Sequence, residues 1–219
     1  MNSPIIQLLV LAGIAIFLIL RLRGVLGTRE GFEKPTLPAQ TDKRRPRPEF
    51  EVIEGGPDRD ITDHVPEGSD AARALHAMKA ADPDFGLNDF LQGARAAYEM
   101  ILMAFENGDL ESVRPFLSQE VHDAFAEVIA TREREGLKVE ATFVGLSEIA
   151  VRDASFDTAT REGEIAVRFT GELTYVVRNT AGEVVEGSTT EIKRQRDVWT
   201  FGRVMGSDDP NWKLVATGE

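Results

Sequence analysis

The chain has 219 residues, with 42% hydrophobic and 28% charged residues, so its composition excludes a fully disordered or collagen-like protein. It contains no cysteine, which excludes disulfides, thiolate metal sites and a cysteine nucleophile. The net charge of −12 argues against non-specific nucleic-acid binding, which depends on Lys and Arg contacts to phosphate, so we expect no nucleic-acid partner.

The first predicted element is an apolar segment, residues 4–20, in which Gln7 is the only polar side chain. As a helix it spans roughly 25 Å, slightly less than a bilayer core of roughly 30 Å, and the apolar residues up to Leu26 can lengthen it. We therefore assign residues 1–26 to a transmembrane anchor with a basic flank. The candidate anchor residues are Ile5, Leu9, Ile14, Phe17, Leu20, Arg21 and Arg23.

The basic residues of this region follow the apolar segment, and none precedes it. By the positive-inside rule, this pattern predicts a single-pass protein whose C-terminal part faces the cytoplasm. A secretory signal peptide is the alternative, but it would place its basic residues before the apolar segment. The basic residues up to Arg47 act either as a topology signal alone or also as a contact for anionic lipid.

Residues 27–68 contain six of the ten prolines and few apolar side chains, which is typical of a linker. About 40 flexible residues have a root-mean-square reach on the order of 35 Å. Within this linker, Glu49–Gly56 alternates apolar and acidic residues. This pattern fits either a short docking strand or ordinary linker.

The remaining residues, 69–219, are enough for one domain, and its first half is helical by pattern. Ser69 is the predicted N-cap of a first helix, Asn88 of a second that ends at Asn107-Gly108, and Ser118 of a third that stops at Gly136. The second helix has a clear 3.6-residue apolar period.

The second half of this domain is predicted to be β-structure. A first strand region covers residues 137–153, and a long hairpin follows, with its turn at residues 180–183 and a last strand near the C-terminus. Helices followed by an antiparallel sheet indicate an α+β fold, in which the helices pack on a curved sheet and leave a cone-shaped apolar hollow.

Motifs for catalysis or cofactor binding do not appear in the sequence. There is no glycine pattern for a nucleotide, no zinc-protease motif and no nucleophile elbow. Asp82–Asp89 lacks the glycine and the last acidic ligand of a calcium loop, and His122 and the pair Asp208 and Asp209 are typical of a solvated surface. We expect no catalytic residue, no cofactor and no metal.

Several segments of this domain resemble the C-terminal domain found in the translocase of inner membrane subunit 44 family. The resemblance covers about residues 70–217. It is carried by Phe90-Leu91-x-Gly93-Ala94 with Tyr98, Gly108-Asp109, Ser118-x-Glu120-Val121, Val198-Trp199-Thr200-Phe201 and Asn211-Trp212. The order of anchor, polar linker and domain is similar to that of bacterial membrane-anchored members, which implies a place in the bacterial inner membrane.

The resemblance implies a nuclear-transport-factor-two-like α+β fold with an apolar pocket, and adaptor work without catalysis. It also implies recruitment to the membrane by the first helix of the domain, with Leu75 and Met78 on one side and Arg73 and Lys79 available to lipid headgroups. The long N-terminal region with which the mitochondrial import protein holds its chaperone partner is replaced here by the anchor and linker. The resemblance therefore leaves the partner protein unidentified.

Three functional hypotheses follow. The first is an inner-membrane adaptor whose partners are inner-membrane lipid and a membrane protein or complex. The second is a ribosome-to-membrane tether, against which the acidic domain counts. The third is lipid or small-ligand binding in the hollow. Ordinary core packing is the alternative for each candidate pocket residue: Tyr98, Ile101, Phe105, Phe125, Phe143, Phe169 and Trp199.

Overall fold

Helices precede strands along residues 58–218, which are the residues that this computed structural model describes. The helices are α1 (Arg59–Thr62), α2 (Asp70–Ala81), α3 (Leu87–Asn107), a 3-10 helix (Glu111–Phe116) and α4 (Gln119–Arg134). The strands are β1 (Lys138–Phe156), β2 (Glu162–Arg178), β3 (Val184–Val204) and β4 (Lys213–Gly218). The predicted anchor, residues 1–26, and the predicted linker up to residue 57 lie outside the described residues.

None of the helices described for residues 58–218 contains an apolar stretch of the length that a bilayer span requires.

Most helix ends lie where the sequence predicts them. The Ser69 hydroxyl accepts a hydrogen bond from the Ala72 N–H at 3.1 Å, and the Ser118 hydroxyl accepts one from the Val121 N–H at 3.2 Å. Gly108 ends α3 in the left-handed conformation, with φ of 74°. The start of α3 differs from the prediction, because its N-cap is Gly86, which supplies no side-chain hydrogen bond.

The four strands form an antiparallel sheet in the order β1-β2-β3-β4, so the predicted α+β class is confirmed. Strand β1 carries an extra residue relative to β2 at three places, Val144, Ser147 and Arg152. Each such bulge bends the strand and increases its twist. The three bulges therefore bend β1, and the register of β2 with β3 also shifts, between Leu173 and Tyr175 and again at Arg178.

The core lies between this sheet and helices α2 and α3. Ile165, Val167 and Phe169 alternate along β2 and are fully buried, as are Tyr98 and Ile101 of α3. Tyr98 stacks on Phe169 with 4.5 Å between ring centroids. The 3.6-residue period of α3 and the two-residue period of β2 thus meet in one apolar layer.

The domain begins before residue 69, because residues 58–65 pack on α2 and α3. This segment, here called the strap (Asp58–Val65), buries Ile61 completely and leaves Val65 only 6% exposed. The carboxylate of Asp60 accepts hydrogen bonds from the N–H groups of Leu87 and Asn88 at 2.8 and 2.9 Å. A residue distant in sequence therefore supplies the cap that Gly86 cannot provide for α3.

Lys79 of α2 holds the strap from the other side. Its ammonium lies 2.7 Å from a carboxylate oxygen of Asp58 and 2.7 Å from one of Asp60. Burial alone would raise the pKa of Asp60, but the hydrogen bonds from Lys79, Asn88 and Leu87 outweigh it and lower the pKa to about 2. Asp60 thus joins the strap, α2 and α3 through one ionised carboxylate.

We predict that Asp60→Ala lowers the free energy of unfolding by about 1–3 kcal/mol, since it removes a helix cap and leaves Lys79 with one carboxylate fewer. Asp63→Ala, in the same segment but exposed, is the matched control and is expected to change stability by less than about 0.5 kcal/mol. Urea denaturation followed by circular dichroism measures both. Equal effects of the two substitutions would contradict the capping role.

The lowered pKa of Asp60 also predicts how stability changes with pH. The carboxylate stabilises the fold above its unfolded pKa of 3.8, and this contribution is lost as the pH falls through its folded pKa of about 2. The stability advantage of the wild type over Asp60→Asn should therefore shrink by about 2 kcal/mol between pH values of about 6 and about 2. A difference that stays constant across this range in denaturation curves would argue against the shift.

Candidate functional site

A groove of about 590 Å³ lies where the C-terminal ends of α3 and α4 approach the start of β1. The left-handed Gly108 turns the chain away after α3, and Gly136, with φ of 66°, turns it from α4 into β1. The groove is lined by Phe105, Glu106, Asn107, Gly108, Ile129, Arg132, Glu133, residues 137–142, Thr174, Val176 and Thr189.

One ion pair joins the two helices in the wall of this groove. Arg132 of α4 donates to the Glu106 carboxylate of α3 at 3.1 Å, and its guanidinium carbon lies 4.5 Å from the centroid of the Phe105 ring. Burial raises the pKa of Glu106, although the charges of Arg132 and Lys193 act against this rise. The carboxylate is thus desolvated and depends on Arg132 for compensation.

A second polar group lies beside the groove on β2 and β3. The Lys193 ammonium lies 4.6 Å from the centroid of the Tyr175 ring, and the Tyr175 hydroxyl donates to Glu186 at 2.7 Å. Burial and the Glu186 carboxylate raise the pKa of Tyr175 to about 12, so this hydroxyl stays protonated at neutral pH. Lys193, Tyr175 and Glu186 therefore contact one another beside the groove.

The side chains that line the groove are of the kinds that bind a ligand or a partner. Its apolar walls come from Phe105, Ile129, Leu137, Val139 and Val176, and its carboxylates and basic groups lie around them. Across residues 58–218, no group of three or more His, Asp or Glu side chains is arranged to hold a metal ion.

The predicted pocket residues are mostly packed against one another. Tyr98, Ile101, Phe169 and Trp199 are buried, and the Tyr98 and Trp199 ring centroids are 4.6 Å apart. The half-buried rings continue this packing, with Phe125 at 4.6 Å from Phe105 and Phe143 at 6.2 Å from Tyr98. Of the seven predicted residues, Phe105 lines the groove, so the rings fill the predicted hollow and the open space lies at its end.

The residues predicted to meet the membrane surface are divided between core and solvent. Leu75 and Met78 are fully buried, because this face of α2 packs on the sheet. Lys79 is held by the strap, whereas Arg73 is 66% exposed and contacts Asp70 and the Gly68 carbonyl. In this structure Arg73 is open to a headgroup, and a lipid contact for Leu75 and Met78 would require α2 to leave the sheet.

Sequence reasoning did not identify Glu106, Arg132 or Asp60. Glu106 and Arg132 lie on different helices, and no period or motif connects them. The strap lies in a proline-rich region of low apolar content, where Ile61 and Val65 are the available signal of a buried segment.

We predict that Arg132→Met destabilises the domain, because it leaves the partly buried, desolvated Glu106 carboxylate without its ion-pair partner. Glu106→Gln should be neutral or stabilising at neutral pH, because it removes a carboxylate whose raised pKa marks an unfavourable burial. Glu99→Gln, on the exposed face of the same helix, is the control. Thermal unfolding of the three variants checks the order, and a strongly destabilised Glu106→Gln would contradict it.

One family model and several curated proteins match this chain. The family model described as the Tim44-like domain matches residues 71–219. The mitochondrial import inner membrane translocase subunit TIM44-1 of Arabidopsis thaliana is 24% identical over 163 residues, covering 71% of this chain and 34% of that protein. Subunit TIM44 of Homo sapiens is 24% identical over 151 residues, covering 67% of this chain and 33% of that protein.

The chain thus spans about a third of the length of these curated relatives. Among solved structures, the intermembrane space region of the chloroplast protein ARC6 aligns with a TM-score of 0.37 and 13% identity, covering 68% of this chain and 95% of that one. The family match runs from the second residue of α2 through β4 and covers more than half of the chain. The chain therefore belongs to the Tim44-like domain family.

Proposed function

We propose that this protein is a membrane-anchored, non-catalytic adaptor that holds a partner protein or complex at the bacterial inner membrane, in protein translocation or membrane-complex assembly. The observation that carries the proposal is the match of residues 71–219 to the Tim44-like domain, since the relatives named above are mitochondrial import translocase subunits. The apolar segment 4–20 supplies the anchor, and the basic residues after it direct the domain to the cytoplasm.

The connection between tether and domain supports this role. The chain enters the domain at the strap, where Asp58 and Asp60 pair with Lys79 and Ile61 is fully buried. A pull on the linker is therefore transmitted to α2 and α3. A surface loop held by few contacts would instead unfold locally before it transmitted force.

We also assign the domain to the nuclear-transport-factor-two-like folds. The support is an antiparallel sheet of four strands that is curved by bulges in β1 and packs helices on one face. For inner-membrane lipid as a partner, the support is the exposed Arg73 on α2. Residues 58–218 carry 17 basic and 30 acidic side chains, a net charge of −13, which counts against the ribosome-to-membrane tether.

Binding of a lipid or small ligand is the second candidate function. The groove of about 590 Å³ favours it, because this volume is in the range of small-molecule sites and its walls are partly apolar.

Fractionation of cells that express the full chain tests the anchor. The protein should stay in the membrane fraction after alkaline extraction, because residues 4–20 would span the hydrocarbon core. A Leu9→Arg and Ile14→Arg double variant should move to the soluble fraction, and Gln40→Arg in the linker is the control for added charge. Release of the wild type by alkaline extraction would contradict the proposal. Protease added to intact spheroplasts tests the orientation, and it should leave a cytoplasmic domain uncut.

A further inference from the structure

The two edge strands of the sheet differ in whether their outer backbone groups are hydrogen-bonded. At the β4 edge, the Ser118 N–H donates to the Leu214 carbonyl at 2.9 Å and Leu117 bridges to Leu214, so the chain covers its own edge there. Strand β1, at the other edge, is hydrogen-bonded to β2 on one side. Among residues 58–218, no backbone group donates to or accepts from its outer side between Lys138 and Arg152.

The first part of this open edge is regular. Lys138–Phe143 pairs with β2 residue for residue, from Lys138 opposite Arg178 to Phe143 opposite Leu173. Beyond it, the bulges at Val144, Ser147 and Arg152 interrupt the strand. Bulges protect an edge against pairing, so the protection begins where the regular segment ends.

The regular segment also borders the groove. Residues 138–142 line it together with the ends of α3 and α4. Val139, Ala141 and Phe143 are half-buried and alternate with the exposed Lys138, Glu140 and Thr142. Unpaired backbone groups next to a partly apolar cavity are the two components of recognition by strand addition.

We propose that Lys138–Phe143 is a docking edge, on which an extended segment of a partner protein adds as a fifth strand, antiparallel to β1, with alternate apolar side chains in the groove. The inference rests on the proposed adaptor function and names the surface and the partner chemistry for it. Backbone pairing supplies affinity, and the groove selects apolar residues at every second position. The net charge of −13 on the described domain disfavours a segment rich in acidic residues.

The chain's own alternating segment, Glu49–Gly56, is disfavoured as the occupant by its charge. It carries three glutamates, whereas the described domain has a net charge of −13. We therefore infer a partner in trans.

The test uses the full-length chain in detergent and a synthetic, end-capped peptide with the sequence of residues 172–178 (ELTYVVR), which already pairs with β1 on its other side. Fluorescence anisotropy measures binding, and amide hydrogen exchange measures protection. We expect binding with slowed exchange confined to residues 138–143. The same peptide with methylated backbone nitrogens at alternate residues keeps its side chains and should bind at least about tenfold more weakly.

A pair of variants separates the edge from the rest of the strand. Val139→Asp places a charge at the groove and should weaken peptide binding about tenfold or more, whereas Val144→Asp lies at the first bulge, where the side chain is 51% exposed, and should leave binding unchanged. If Val139→Asp fails to fold, the methylated peptide decides the question on the wild-type protein.

Three results would overturn the proposal. Equal binding of the methylated peptide would mean that side chains alone are recognised, and protection outside residues 138–143 would mean another surface. Protection of this edge that rises with protein concentration, without peptide, would mean that a second copy occupies it. None of these results bears on the anchor, so fractionation still tests the adaptor function separately.

Discussion

The approach of Tyr98 to the sheet is the contact on which the arrangement of the layers depends. A Cβ atom on Gly171 would lie 2.7 Å from the Tyr98 hydroxyl oxygen, so α3 can approach β2 this closely because position 171 is glycine. The ring then stacks on Phe169, and its hydroxyl donates to Asp197 at 2.5 Å. Burial and the Asp197 carboxylate raise the pKa of Tyr98, which keeps the hydroxyl a donor. One side chain thus sets the depth of α3 in the curved sheet.

The two ends of α3 have different surroundings in this packing. At the N-terminal end of α3, the strap, Lys79 and the cap from Asp60 join the incoming chain to the helices. At the C-terminal end, the helices diverge from the start of β1 and leave the groove beside an open strand edge. With the proposed anchor on the chain that enters at the strap and the proposed docking edge at the other end, the domain would have the geometry that an adaptor needs. The fold alone does not assign that role, because one fold hosts many functions.

Local rules predicted much of this fold from the sequence. Caps at Ser69 and Ser118, the stop at Gly108 and the hairpin turn all follow from residues within a few positions of each other. The cap from Asp60, the Glu106–Arg132 pair and the bulges in β1 depend on residues far apart in the chain or on strand register, which carry no local signature. For a similar reason, the sequence does not distinguish residues that line an open pocket from residues that pack in the core. Aromatic residues on facing elements either enclose a space or fill it, and the distances between rings decide which.

Crosslinking in cells tests whether the anchored domain holds a membrane complex through its own surface. A photoreactive amino acid at Val139 in the full-length chain, with the charged-anchor variant as control, would capture whatever contacts the groove, and mass spectrometry would identify it. We expect crosslinks to one membrane protein complex that disappear when the anchor is disrupted. Crosslinks to lipid alone, or to the same proteins with and without the anchor, would contradict it.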